Sequence, residues 1–269
     1  MPPRSGVRAS IQLLVEGADA QYFFMHFLNH MGFNNVEVQG EVEWRGHSRV
    51  YKDAPDLIKG LGLRSKFDED DLAAFDRIRN EILERLDPSD AEISNFGGVT
   101  ELHSFLGAVW NSPRARTTIE AIGIVRDAES NARGTESAAE AAFKSAHAAI
   151  SASGLTPPDR PLQVIGKKPR IGVLILPPGE SEGMLEDVCL DAVQADPAMS
   201  CVDEYIECVK RSVRNWRGQN RKKASVQAFL ASRPEPGLKL GEGAKLGYWN
   251  WSHEVYSPIK QFIENLIGQ

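Results

Sequence analysis

Three carboxylates follow two short apolar runs of the sequence. Glu16 comes directly after the run at 11–15. Asp127 and Glu129 follow the run at 121–125. Short runs rich in β-branched residues are typical of buried strands, and ligands of parallel α/β sheets bind just beyond the carboxyl ends of the strands. We therefore expect these three acids to share one cleft.

The spacing of two of these acids suits a metal ion. Asp127 and Glu129 are separated only by Ala128, so both carboxylates point the same way if strand geometry continues, and they offer oxygens to one hard cation. A third carboxylate from Glu16 would make the cleft a Mg²⁺ or Mn²⁺ site, because these cations prefer oxygen ligands. Each acid alone is better explained as a helix N-cap or a solvated loop residue, whereas the three in matching positions favour the metal site.

Positive charge is concentrated in one segment of this acidic chain, at 208–223. It has no acid and seven basic residues, namely Lys210, Arg211, Arg214, Arg217, Arg221, Lys222 and Lys223. Such charge holds phosphate backbones, and Trp216 among the arginines can stack on an exposed base. We predict phosphate contacts from Arg217, Arg221 and Lys222. The alternative is a solvated helix face that pairs with the protein's own acids.

A smaller basic cluster precedes the apolar run at 171–176. It consists of Lys167, Lys168 and Arg170. We predict that it lies near the edge of the acidic cleft, where Lys167 and Lys168 would contact substrate phosphates.

The order of predicted elements favours a parallel sheet between helices. Strands are predicted at 11–15, 35–39, 91–98, 121–125 and 170–177, and helices at 20–32, 99–110, 135–153 and 183–193. The third helix is expected to begin at Thr135 or Glu136, where capping is easy. After Pro197 the chain is predicted to be mostly helical, without a further strand.

The domain organisation follows from these elements. An α/β core is predicted at 8–195, and within it an amphipathic helical pattern in a polar interruption predicts an inserted helical lobe at 41–90. A helical C-terminal extension at 196–269 is expected to pack on the core. Four aromatics of this extension are interpreted as a packing anchor, namely Tyr248, Trp249, Trp251 and Tyr256.

Composition limits the classes of function. The 269 residues carry a formal net charge of -6, which argues against nucleic-acid binding through overall charge and leaves only a local patch. The first apolar run is too short for a signal peptide or a membrane span, so we expect a soluble cytoplasmic protein without membrane contact. Three cysteines (Cys189, Cys201 and Cys208) form no disulfide or zinc pattern and are interpreted as small core residues. No P-loop motif is present, which sets aside a P-loop hydrolase.

Four stretches carry a resemblance to a known fold. "LLVEGADAQYFF", "FGG", "IGIVRDAE" and "LPPGESEGMLEDVCL" resemble the TOPRIM module of topoisomerases, primases, recombination proteins and nucleases of the overcoming-lysogenisation-defect type. More narrowly, the chain resembles small stand-alone TOPRIM-like proteins of a domain family of unknown function. That likeness continues through "GYWNWSHEVYSPIKQFI" and covers most of the chain except the inserted lobe. It implies a Rossmann-like TOPRIM core.

The resemblance also implies roles for individual acids. It makes Glu16 the general acid or base and makes Asp127 and Glu129 the metal ligands, although the second acid of the TOPRIM pair is an aspartate. Asp19 follows the first glutamate, where related nucleases often carry an additional acid. Glu186 is the candidate for a later metal ligand.

The function implied is a Mg²⁺- or Mn²⁺-dependent nuclease or nicking enzyme that acts on phosphodiester bonds of DNA or RNA, in defence against foreign nucleic acid. The alternative is a non-catalytic TOPRIM-like protein that binds a nucleic acid or nucleotide and regulates a partner. Nucleic acid is the expected partner, and a protein partner or a homo-oligomer remains open. A topoisomerase is disfavoured because it would need a separate tyrosine-bearing domain. A primase is disfavoured because it would need a cysteine zinc site.

Overall fold

The computed structural model of the chain describes residues 11–33, 36–38, 91–97, 101–111, 119–129, 136–213 and 219–268. Within these ranges six strands form one sheet: β1 (Ile11–Val15), β2 (Val36–Val38), β3 (Ala91–Asn95), β4 (Ala121–Asp127), β5 (Val164–Ile165) and β6 (Arg170–Leu176). Their spatial order is β2-β3-β1-β4-β6-β5. All neighbours are parallel except β5, which runs antiparallel to β6 and was not predicted. The predicted α/β class with a mostly parallel sheet is confirmed, whereas the predicted lobe at 41–90 lies outside the described residues.

The described part of the chain contains eight α-helices. They are α1 (Ala18–His30), α2 (Leu102–Asn111), α3 (Ala138–Ala152), α4 (Leu185–Ala192), α5 (Ala198–Ser212), α6 (Gln219–Ala231), α7 (Leu240–Lys245) and α8 (Ser257–Ile267). A short 3₁₀ helix, Glu254–Tyr256, precedes α8. The described residues after Pro197 are mostly helical and contain no strand, as predicted. None of the helices in the described ranges is long and apolar enough to cross a membrane.

The start of α3 differs from the prediction. The helix begins at Ala138, because the Ser137 hydroxyl accepts a hydrogen bond from Glu140 N (3.2 Å) and the Glu140 carboxylate accepts one from Ser137 N (3.1 Å). This capping box satisfies two amide groups at the helix start that would otherwise lack partners. Ser137, and not Thr135 or Glu136, is therefore the N-cap.

The aromatic residues of the C-terminal region pack against the core, as predicted. Trp249 and Tyr256 are buried, and the ring of Trp251 lies 5.3 Å from that of Phe23 and 5.5 Å from that of Phe27. Helix α8 packs on β4 and β6, so that C-terminal helices cover one face of the sheet. Burial of several large rings stabilises this arrangement through the apolar area removed from water.

Only one of the three cysteines is a core residue. Cys189 is buried, but Cys201 and Cys208 are exposed, and all three are free thiols. Helix α5 turns Met199, Val202 and Ile206 toward the core. Cys201 and Cys208 lie on the opposite side of this amphipathic helix, so the prediction that they are core residues is wrong.

The two faces of the sheet belong to different hydrophobic clusters. Val15 and Val125 pack with α1, α4 and α8, whereas Leu14 and Ile124 pack with α2 and α3. Successive residues of a strand alternate between faces, and Val15 pairs with Val125 in the parallel register of β1 and β4. The residue that follows β1 therefore lies beside Arg126 on the α3 face.

Candidate functional site

Asp127 ends β4 at the carboxyl edge of the sheet and is joined to α4. Its Oδ1 accepts a hydrogen bond from Leu185 N at 3.0 Å, at the first residue of α4. Beside it, Ala128 forms an isolated antiparallel bridge with Gly183. These contacts hold the loop after β6 against the end of β4, so that Glu186 in the first turn of α4 comes next to Asp127.

The environment of Asp127 is strongly acidic. Burial raises the pKa of Asp127 well above its usual value, and the negative charges of Glu186, Glu16 and Glu129 raise it further, against the hydrogen bond from Leu185 N. A carboxylate in such surroundings resists ionisation because its charge is poorly solvated and is repelled. The structure therefore brings together Glu16, Glu129 and Glu186 around Asp127, as the sequence predicts.

A fifth acid joins this group through Glu186. Burial raises the pKa of Glu186, and the charges of Asp19 and Asp187 raise it further, whereas its backbone amide and Lys223 oppose the shift. Asp19 lies in the first turn of α1. Electrostatic interactions thus link the four predicted metal ligands into one group, and their binding of a metal stays a prediction. The four residues are Asp19, Asp127, Glu129 and Glu186. We call these four residues, with Glu16, the acidic site.

Glu16 approaches the site from the other face of the sheet. Its Oε2 lies 3.4 Å from Nε of Arg126, and the guanidinium also donates through Nη1 to the carbonyl oxygen of Ala142 in α3, at 3.0 Å. Arg126 is buried, with 4% of its surface exposed. Asp127 instead bonds to α4, so the two carboxylates approach each other only where the strands end. Sequence reasoning missed Arg126, although strand alternation in β1 and β4 places position 126 beside position 16.

Asn95 holds the turn between β1 and α1. Its Oδ1 accepts hydrogen bonds from Gly17 N (3.0 Å) and Gly97 N (2.8 Å). Gly17 has a φ of +90°, a left-handed conformation that glycine adopts readily. Asn95 was also missed, and its position at the carboxyl end of β3, next to β1, was the available signal.

The basic segment meets the acidic site through α6. Nζ of Lys223 lies 3.8 Å from Oε1 of Glu129, and Nζ of Lys222 lies 2.8 Å from Oδ1 of Asp187. Helix α6 packs on α4, which carries Asp187.

Other parts of the basic segment differ in their surroundings. Arg221 pairs with Glu207 at 2.8 Å, away from the predicted metal ligands. Arg217 lies outside the described residues. The described basic residues of α6 thus pair with the protein's own acids. This is the alternative to phosphate binding that the sequence left open. Two of these residues, Lys222 and Lys223, also border the acidic site.

Lys167 and Lys168 lie at the wrong end of the sheet for the predicted role. They precede β6, and Nζ of Lys168 pairs with Oε1 of Glu120, directly before β4, at 3.1 Å. Since β4 and β6 are parallel, this is the amino edge, and the acidic site occupies the carboxyl edge. The prediction that Lys167 and Lys168 lie near the cleft is wrong, because the cluster precedes its strand and does not follow it.

The donor atoms of the acidic site suit a hard cation. Carboxylate oxygens are the ligands that Mg²⁺ and Mn²⁺ prefer, and the raised pKa values of Asp127 and Glu186 mark a repulsion that a cation would relieve. In the described ranges, however, no three His, Cys, Asp or Glu side chains are arranged to hold an ion. Glu129 is paired with Lys223 and is about half exposed.

Comparison with known proteins yields one match. A family model described as "Protein of unknown function (DUF3226)" matches residues 10–268. No curated protein matches the chain, and no solved structure does.

Proposed function

The chain belongs to the DUF3226 family of proteins of unknown function, and we propose from its acidic site that it is a Mg²⁺- or Mn²⁺-dependent phosphodiesterase that cuts or nicks DNA or RNA. The observation that carries this proposal is the position of half-buried Asp127 at the carboxyl edge of the sheet, where the charges of Glu186, Glu16 and Glu129 act on it. Like charges gathered in a poorly solvated position destabilise the fold, and such groups are typical of sites that bind or react.

We further propose that the sheet is a Rossmann-like TOPRIM core. Two features support this. A glutamate follows the interior strand β1, and an acidic pair follows the adjacent parallel strand β4. Ligands of open α/β sheets bind at this edge of the strands.

The proposed roles follow from position. Asp127 and Glu186 would hold the ion, with Glu129 and Asp19 as further ligands. A bound divalent cation supplies positive charge that polarises the phosphoryl group and offsets the negative charge that develops during cleavage. The side chain of Glu16, 23% exposed, would accept the proton of the attacking water.

The neighbouring lysines would contact the substrate. Lys222 and Lys223 neutralise Asp187 and Glu129 at the border of the acidic site. When a cation neutralises Glu129, the ammonium group of Lys223 would become available for the phosphates of a nucleic acid, and Lys222 precedes it on the same helix. A nucleic-acid substrate is consistent with the proposed role in defence against foreign nucleic acid.

Cleavage assays with matched variants test this proposal. Supercoiled plasmid and single-stranded RNA would be incubated with Mg²⁺, with Mn²⁺ and with chelator. We expect cleavage only with metal, its loss in Asp127→Asn, and its retention in Asp191→Asn, which changes an exposed acid near the C-terminal end of α4. Absence of cleavage in both metals, or equal activity with chelator, would overturn the proposal.

A second function is favoured by one specific observation. Two of the five members of the acidic site, Glu16 and Glu129, pair with a basic side chain of the same protein, as does the neighbouring Asp187, so part of this negative charge is neutralised without a cation. This suits a non-catalytic protein that binds a nucleic acid or nucleotide and regulates a protein partner. Metal-independent binding of oligonucleotides, without cleavage of either substrate, would favour this function.

A further inference from the structure

We propose that Arg126 is a positioning residue that holds the Glu16 carboxylate in the orientation needed for proton transfer. This inference rests on the proposed function of the acidic site. Arg126 is buried at the end of β4, where it contacts Glu16 after β1.

The strand register brings the two side chains together. Val15 and Val125 are partners in the parallel pairing of β1 and β4, so Glu16 and Arg126 are the next pair along the two strands. Side chains of paired residues point to the same face of a sheet, here the face covered by α3. Nε of Arg126 lies 3.4 Å from Oε2 of Glu16 as a result.

The guanidinium is fixed at its other end by a second element. Nη1 of Arg126 donates to the carbonyl oxygen of Ala142 in α3, at 3.0 Å. A guanidinium is planar and carries its donors in a rigid fork, so contacts with a carboxylate and a helix carbonyl determine its orientation. The position of α3 therefore determines the orientation of the Arg126 guanidinium, which in turn orients the Glu16 carboxylate.

Burial excludes a direct role in substrate binding. The side chain of Arg126 is 5% exposed, compared with 23% for Glu16. Arg126 thus has no surface for a phosphate, whereas Glu16 is partly open to water. The charge of Glu16 also raises the pKa of Asp127, so Glu16 acts on the acidic site while it is paired with Arg126. We therefore expect Arg126 to affect catalysis through Glu16.

A double-mutant cycle tests the inference. Wild type, Arg126→Met, Glu16→Gln and the double variant would be compared in steady-state cleavage with excess substrate, with Mn²⁺ affinity measured by calorimetry. We expect Arg126→Met to lower kcat by tenfold or more, because a misplaced catalytic group loses about that factor or more, while KM and Mn²⁺ affinity change less than about twofold. In the Glu16→Gln background the same substitution should have no further effect.

Two further variants separate positioning from folding. Arg126→Lys keeps the positive charge in a smaller side chain, so it should fold where Arg126→Met does not, and should retain more activity than Arg126→Met. Arg233→Met removes a comparable arginine–carboxylate pair, with Asp196 at 3.0 Å, and should lower Tm without changing kcat. Thermal unfolding of each variant provides the stability comparison.

The outcomes distinguish this inference from the function on which it rests. If wild type cleaves but Arg126→Met or Arg126→Lys lowers kcat equally in both backgrounds, Arg126 is structural and the inference is wrong. The inference also fails if wild type cleaves and both variants keep full kcat. If wild type shows no metal-dependent cleavage, the proposed function fails and the inference fails with it.

Discussion

Asp127 Oδ1 accepts a hydrogen bond from the backbone amide of Leu185, and this contact joins the end of β4 to the start of α4. Because Glu186 follows Leu185, the contact places a second half-buried carboxylate next to the first. The relationship between strand end and helix start thus determines where the negative charge of this protein is concentrated.

Removal of the Asp127 charge should stabilise the protein without metal. Asn in place of Asp127 keeps a carbonyl acceptor for Leu185 N and removes repulsion by Glu186 and Glu16. We expect Asp127→Asn to gain about 1 kcal/mol in the free energy of unfolding, or about 2–4 °C in Tm for a protein of this size. The variant should also lose the rise in Tm that wild type shows with Mn²⁺. Asp191→Asn serves as the control, and a lower Tm for Asp127→Asn in chelator would contradict the expectation.

The difference in the free energy of unfolding between wild type and Asp127→Asn should depend on pH. The pKa of Asp127 is raised from 3.8 in the folded state, so the folded protein binds this proton more tightly than the unfolded chain does. The contribution of Asp127 to stability is therefore fully present below about its usual pKa and is lost as pH rises toward the raised value. Urea unfolding in chelator should show that the advantage of Asp127→Asn grows from pH 4.5 to pH 8. A constant difference over this range would mean that Asp127 does not titrate abnormally.

Lys223 should compete with a bound cation. Its ammonium group pairs with Glu129 and lowers the pKa of Glu186, so it repels a divalent ion from the acids around Asp127. We expect Lys223→Met to bind Mn²⁺ about threefold to tenfold more tightly, which corresponds to roughly 1 kcal/mol. Calorimetry at low ionic strength measures the effect, with Lys168→Met as the control. Unchanged Mn²⁺ affinity in Lys223→Met would place the cation away from Glu129.

Nucleic-acid binding should distinguish two lysines of equal exposure. Lys222 and Lys168 are 46% and 47% exposed, and each pairs with one carboxylate, but they lie at opposite edges of the sheet. We expect Lys222→Met to weaken oligonucleotide binding severalfold and to reduce the salt slope of log K by about one, whereas Lys168→Met leaves both unchanged. Fluorescence anisotropy across a salt series is the measurement. Equal losses in both variants would indicate binding through diffuse charge.

Much of the fold could be predicted because its signals are local. Apolar runs such as 121–125 and 171–176 specify strands, and the spacing of Phe23, Phe24 and Phe27 specifies a helix. The short antiparallel strand β5, Val164–Ile165, has only two residues and carries no such periodic signal. It forms because β6 offers it an edge to pair with.

Within the acidic site, the sequence by itself determined that Glu16 and Asp127 come together, whereas Glu186 reaches Asp127 only through the contact between β4 and α4. Glu16 and Asp127 follow strands, and parallel strands present their carboxyl ends at one edge, so chain order and strand direction suffice. The same rule, applied to the position of Lys168 before β6, assigns that residue to the opposite edge.

Only the tertiary structure decided what each carboxylate touches. Glu16 pairs with buried Arg126 on the α3 face, and Asp127 accepts a hydrogen bond from Leu185 N on the α4 face. Lys223 forms an ion pair with Glu129. These contacts depend on how helices distant in sequence dock on the sheet, which follows from packing of whole faces and not from any local pattern. Electrostatic interactions change steeply with distance and burial, so the chemistry of the site emerges only with that docking.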